Sequence, residues 1–206
     1  MAQAKRKLQE AETHKHWTVE EYLAYEMTSP VRHEYVDGQL FAMAGESKNH
    51  NRLAGRLYSG LSFNLAAGNC EAFIENVKVK VSPTRYYYPD VVVSCLEPEE
   101  GEDAYVIEAP LLIIEVLSSS TQRNDRVEKM NAYQKLAGLR EYVIISQESV
   151  RLEVYRHEQA GEAWQCEVFD DTESEVTFQS VGLTLKLADI YHRVRFAEES
   201  EEEQES

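Results

Sequence analysis

The run Pro110-Leu111-Leu112-Ile113-Ile114-Glu115-Val116-Leu117-Ser118 is apolar throughout its strand-like part except for one acid in its middle. A continuous Leu/Ile/Val run opened by proline reads as a central strand covered on both faces. Glu115 therefore points into a covered face. Burying an unpaired carboxylate costs on the order of several kcal/mol even after relaxation, so such a chain either neutralises the acid or supplies it with a cation. A Lys or Arg partner is one solution and a metal ion is another.

A second acid stands in Tyr86-Tyr87-Tyr88-Pro89-Asp90-Val91-Val92-Val93, also strand-like. If the two strands are neighbours, Asp90 and Glu115 present oxygens to one point. Mg2+ favours such a donor set: one or two carboxylates, with room left for water and a substrate phosphate. The plainer alternative for Asp90 is a strand-edge acid facing water.

With 206 residues, the chain has the length of one generous domain. No run approaches the roughly 18 apolar residues of a membrane span, and the start carries no apolar signal-peptide segment, so a cytoplasmic soluble protein with no membrane partner is expected. Cys70, Cys95 and Cys166 are widely spaced and odd in number, which argues against a disulfide framework and a zinc site. The formal charge is -16, and setting aside the six glutamates between Glu198 and Glu205 leaves -10. That balance weighs against binding nucleic acid through a generally basic surface, although bound metal or a local groove can override it.

Residues 1–15 read as a mobile polar arm and 197–206 as a disordered acidic tail, bracketing a domain over 16–196. Thr18 with Glu21 three residues on forms a capping-box pattern that opens a short helix ending before Ser29-Pro30. Asp37-Gly38 between alternating segments predicts a hairpin. Leu53, Leu57, Leu61 and Leu65 mark a long amphipathic helix, stopped near Gly68. Val77 to Val81 alternates as a half-exposed strand, and Glu97 to Asp103 reads as a solvated acidic loop. Residues 110–146 give strand, helix, strand, the pattern of a parallel crossover. Val150 to Arg156 and Trp164 to Phe169 form a hairpin around Glu158 to Glu162, followed by a short strand over 175–178 and an apolar segment over 183–191. The expected architecture is a mixed β-sheet flanked by helices, with an additional C-terminal β-hairpin region. Phosphate-binding glycine loops, the Gly-x-Ser-x-Gly elbow and the His-Glu-x-x-His zinc motif are absent.

Pro89-Asp90 followed twenty-five residues later by Glu115 in an apolar strand resembles the acidic core of the PD-(D/E)xK nuclease superfamily, with its restriction-endonuclease-like α/β fold. An ordered series resembles the Uma-type endonuclease family in particular. It comprises Trp17 to Tyr22, Glu34-Tyr35-Val36-Asp37-Gly38, His50, Pro89-Asp90-Val91 and Glu115-Val116-Leu117-Ser118, then Asp125, Lys129, Tyr133, Gly138 and Glu141-Tyr142. The resemblance covers residues 16 to 192. It implies metal-dependent hydrolysis of DNA phosphodiesters, with Asp90, Glu115 and the backbone carbonyl of Val116 holding Mg2+ (or Mn2+ as a substitute) and Glu34 completing the cluster. A homodimer is a further implication.

The superfamily pattern places a lysine two residues beyond the strand acid, where this chain has Leu117. By the resemblance, Lys129 on the next helix takes over that role. Asp125 and Lys129 are four apart, so a surface ion pair is the competing reading. His50 stands as a residue supporting the metal ligands, and Lys78 and Lys80 as either a basic wall for phosphate or a solvated strand face. Ser146 replaces an acid that the family tends to carry. The missing lysine and the acidic charge keep open a second reading, a catalytically inactive nuclease-fold binding module or adaptor subunit.

Overall fold

The computed structural model describes residues 15–95, 105–117, 124–157 and 163–196, with the side chains of 124–126 left aside. Residues 1–14 of the expected arm, the acidic loop, Ser118, the turn over 158–162 and the acidic tail lie outside the described residues, as does the side chain of Asp125.

Helix α1 (Val19–Glu26) starts as its sequence dictates. Thr18 Oγ1 accepts from the Glu21 N–H at 3.2 Å while the Glu21 carboxylate accepts from the Thr18 N–H at 3.0 Å, so each residue's otherwise orphaned N–H is satisfied by the other's side chain. Strands β1 (His33–Val36) and β2 (Gln39–Ala42) pair across Asp37 and Gly38, whose φ values of 48° and 90° are those of a tight hairpin turn. Helix α2 (Lys48–Leu65) is capped by Ser47 and buries Leu53, Ala54, Leu57, Leu61 and Leu65.

Next come β3 (Glu71–Ile74), β4 (Lys78–Ser82), β5 (Arg85–Tyr87), β6 (Val91–Ser94), β7 (Val106–Ile107) and β8 (Pro110–Leu117). Helix α3 (Asn124–Tyr133), β9 (Glu141–Ser146), β10 (Leu152–Arg156), β11 (Gln165–Phe169), β12 (Glu175–Phe178), β13 (Leu183–Lys186) and the single turn α4 (Leu187–Ile190) complete the order. A six-stranded sheet, β11-β10-β9-β8-β6-β3, is the centre of the molecule. A five-stranded sheet, β2-β1-β5-β4-β7, lies beside it, and β12-β13 form a separate hairpin. The strand, helix, strand passage is the expected crossover: β8 and β9 run parallel, with Leu112 opposite Glu141 and Leu117 opposite Ser146.

Strand β8 is covered on both faces, as its composition requires. Leu112, Ile114 and Val116 pack with the α2 leucines, Val176 and Phe178, whereas Ile113 and Leu117 pack with Val79, Tyr87, Tyr133 and Tyr142. Side chains alternate along a strand, so Glu115 belongs to the second face, beneath α3.

Three expectations need correction. The run from Tyr86 to Val93 is two strands in different sheets, because Pro89 has no N–H to give a ladder and the chain crosses between sheets at Pro89-Asp90. Lys78 is buried at 4% exposure with its ammonium 5.7 Å from the Tyr88 and Tyr105 rings, and Lys80 pairs with Glu108 at 2.6 Å, so these two lysines do not form a solvated face or a basic wall. Cys70 and Cys95 form a disulfide. Their separation in sequence hides their proximity, for antiparallel pairing of β3 with β6 sets Glu71 opposite Ser94 and brings the flanking cysteines together. Cys166 alone is free, and exposed.

The bridge closes a loop of 25 residues, for which loop-closure entropy gives a stabilisation of about 3.5 kcal/mol. Urea unfolding with and without dithiothreitol checks this: reduction is expected to lower the midpoint, and an unchanged midpoint would show that the cross-link contributes nothing to the folded state.

Candidate functional site

Asp90 is the first residue after the sheet-switching proline. Since β6 is antiparallel to β8 with Val91 opposite Ile114, the next position of the register places Asp90 beside Glu115. The contact is direct through the backbone, the Val116 N–H donating to Asp90 Oδ2 at 2.6 Å. Glu34 arrives from β1, which pairs with β5 and so hangs over the switch, and the Tyr88 N–H reaches Glu34 Oε1 at 3.3 Å. Lys129 descends from α3: its Nζ lies 2.8 Å from Glu34 Oε1 and 3.2 Å from Glu115 Oε1. Glu34, Asp90, Glu115, Val116 and Lys129 all line one cavity of about 350 Å³. Lys129 thus reaches the acids from the helix, and Leu117 packs in the apolar core instead.

Two further groups fix these carboxylates. Tyr133, one helical turn beyond Lys129, donates its hydroxyl to Glu115 Oε1 at 2.9 Å. His50, in the first turn of α2, sets Nε2 3.2 Å from Asp90 Oδ2. Its Nδ1 is buried with no protein partner. Burial opposes a charged imidazole, but the hydrogen bond and charge of Asp90 outweigh it and raise the His50 pKa above its usual 6.5.

Glu115 and Lys129 show what dominates the electrostatics. Burial pushes Glu115 up to about 7, against the pull of Lys129, and the charges of Asp90 and Glu34 push the same way. Lys129 is buried too, yet two facing carboxylates more than offset that and hold its pKa well above 10.5. The two directions are compatible because one ammonium is divided between two acids. Glu115 is left with too little positive charge. Among the described residues no three His, Cys, Asp or Glu side chains form a ready-made metal cage; the ammonium lies where their charges would otherwise repel.

The model of the Uma2 family, described as "Putative restriction endonuclease", matches residues 19–188. The chain belongs to the Uma2 family. An uncharacterized protein of Synechocystis sp. is 34% identical over 178 residues, 86% of this chain and 92% of that protein. A second uncharacterized Synechocystis protein is 33% identical over 141 residues, 68% of this chain and 80% of its own length. Among solved structures, a chain from Anabaena variabilis described as a "putative nuclease belonging to DUF820" superposes with a TM-score of 0.68, at 22% identity, covering 85% of this chain and 97% of that one. The fold of this Uma2 protein is the restriction-endonuclease-like mixed sheet flanked by helices.

The Uma2 site contains residues that sequence reasoning passed over. Glu46 lines the cavity 4.0 Å from His50 Nε2, and Phe41 and Met43 line it from the edge strand. Behind it, buried Glu26 accepts from the Tyr88 hydroxyl at 3.0 Å and the His33 N–H at 2.9 Å, tying α1 to the chain segment that carries Asp90. The available signal was an acid, Glu26, on the last turn of an otherwise ordinary helix, which names no partner. No helix among the described residues is long and apolar enough to cross a membrane.

Proposed function

We propose that this Uma2 protein is a Mg2+-dependent endonuclease that hydrolyses DNA phosphodiester bonds. The observation that carries the reading is the convergence on one cavity of Glu34 from β1, Glu115 from β8 and Asp90 from the link just before β6. There Glu115 is buried and short of positive charge.

The donor set suits a hard divalent ion. Asp90, Glu115 and the Val116 carbonyl would hold Mg2+, or Mn2+ in its place, with Glu34 completing the cluster, and oxygen donors with space left for water are what such an ion requires. A bound ion would lower the pKa of a coordinated water and neutralise charge growing on the phosphate. The chain's own residues prepare that site. The Val116 N–H and His50 orient Asp90 through Oδ2, and the Tyr133 hydroxyl orients Glu115 through Oε1. With Glu34 and Glu115 facing it Lys129 holds its proton, so its part is to donate a hydrogen bond to the attacking water or a phosphate oxygen. With an ion on those oxygens, the Lys129 ammonium would have to sit off Glu34 and Glu115. Cleavage of both strands would use a second copy, as a homodimer, and a cytoplasmic location gives access to DNA.

The test is nicking of supercoiled plasmid by purified protein in Mg2+ or Mn2+, with chelator and Glu115→Ala controls. Nicking that requires the metal and Glu115 is expected; nicking that ignores both would remove this site from the reaction. One observation favours the alternative of an inactive binding module: Lys129 already compensates two of the acids without an ion. Calorimetric titration with Mg2+ and Mn2+ separates the readings, because a degenerate site shows no carboxylate-dependent affinity.

A further inference from the structure

The cavity has an apolar lip beside its acidic floor. Strand β2 is the edge of the five-stranded sheet, and Phe41 and Met43 on and just beyond it are 48% and 37% exposed. Their placement follows from the hairpin register. Phe41 stands directly opposite Glu34, and opposed residues of an antiparallel pair project to the same side. Met43, two residues on, shares that side because its N–H continues the pairing to the Arg32 carbonyl at 2.8 Å. The face that delivers Glu34 to Lys129 therefore carries an exposed aromatic ring next to it, and both line the same cavity. An aromatic ring exposed at the rim of a cavity is a surface that a ligand of that cavity can cover.

The charges nearby narrow what that cover can be. Glu34, Glu46, Asp90, Glu115 and Glu128 line the cavity; among the described lining residues Lys129 is the only lysine or arginine, already held by two of them, and His50 is held by Asp90. A phosphate backbone finds no free ammonium or guanidinium among these described residues. A nucleic acid seated here needs an attraction besides phosphate contacts, and a flat apolar ring supplies one, since every base has a π-face.

We propose that Phe41, with Met43 beside it, forms the stacking platform for a nucleobase flanking the phosphate that the acids receive. This rests on the nuclease reading and adds to it the way the substrate is gripped. A base in Watson–Crick stacks has no free face to offer, so the platform selects unpaired or splayed bases, such as single strands, ends and distorted sites.

The experiment measures binding of two eight-nucleotide single strands, one of thymidines and one wholly abasic, to the full chain with Ca2+ in place of Mg2+ to prevent turnover. Wild type is expected to favour the thymidine strand by about 5- to 150-fold, the range of a single stacked base. Phe41→Ala should lose that preference, Phe41→Trp should keep it, and neither should shift the melting temperature much, the ring being half exposed. Equal binding of both strands by wild type, or an unchanged preference in Phe41→Ala, overturns the platform. So does a dimer that Phe41→Ala converts to monomer in sedimentation, which would assign the ring to a second copy of the chain. Plasmid nicking in parallel keeps the two ideas apart: metal-dependent nicking with no effect of Phe41 sinks the platform and leaves the nuclease, whereas a wild type that neither binds nor nicks removes both.

Discussion

Glu115→Ala slows metal-dependent nicking by at least about 10³-fold while leaving a folded protein. The size follows from what one carboxylate does here. It is a proposed ligand of the ion that must stabilise the charge developing on the phosphate, a contribution of several kcal/mol, and about 4 kcal/mol is a thousandfold in rate. It also holds Tyr133 and shares Lys129. Lys129→Met is expected to be milder, about 10²-fold, since it removes a hydrogen-bond donor to water or phosphate and leaves the oxygen donors in place. The ordering is as informative as the sizes. A Lys129 variant as inactive as Glu115→Ala would make the ammonium an equal partner of the ion.

Glu115→Gln stabilises the metal-free protein at alkaline pH, and the gain disappears in acid. A carboxyl held at about 7 in the folded chain against an ordinary 4.5 binds more protons folded than unfolded between those values. Stability is therefore fullest below about pH 4.5 and declines as pH rises to about 7, by up to about 3 kcal/mol at 1.36 kcal/mol per pH unit. The amide escapes that decline, and Glu34 remains to hold Lys129. Divalent ions act in the opposite sense. At about 100 times its dissociation constant an ion adds about 2.7 kcal/mol to wild type, roughly 5 to 10 °C for a chain of this size, and adds least to the glutamine variant. Melting curves of both proteins at pH 5 and pH 8, with and without Mn2+, check all four expectations. A variant that melts below wild type at pH 8 without metal would mean that the ion pair with Lys129 outweighs the burial of Glu115, and that the acid serves architecture.

Much of this site was legible because the physics that buries an acid is local. Glu115 sits in a run whose composition alone requires cover on both faces, and Thr18, Asp37-Gly38 and the α2 leucines mark their elements through short-range rules of capping, turn chemistry and periodicity. The role of Pro89 was half visible. Proline forbids a central ladder position, but only the tertiary pairing shows that the chain uses the break to change sheets. Lys129 was legible through resemblance, not through its neighbours, since a lysine four residues after an aspartate fits a surface pair equally well. The disulfide was hidden because spacing in sequence says nothing about which strands lie side by side. Lys78 was misread for a related reason: β4 alternates as a half-exposed strand would, yet Lys78 lies beneath the Tyr88 and Tyr105 rings. Phe41 carried no signal of its own, because nothing in the sequence tells an edge strand such as β2 from an inner one.

Crystals soaked in Mn2+ and measured for anomalous scattering bear most directly on the convergence of these acids. One peak within about 2.0–2.5 Å of oxygens from both Asp90 and Glu115 is expected, with the Lys129 ammonium drawn away from Glu115. No peak in the cavity, with Lys129 still between Glu34 and Glu115, would contradict a metal-dependent nuclease centred on this pair.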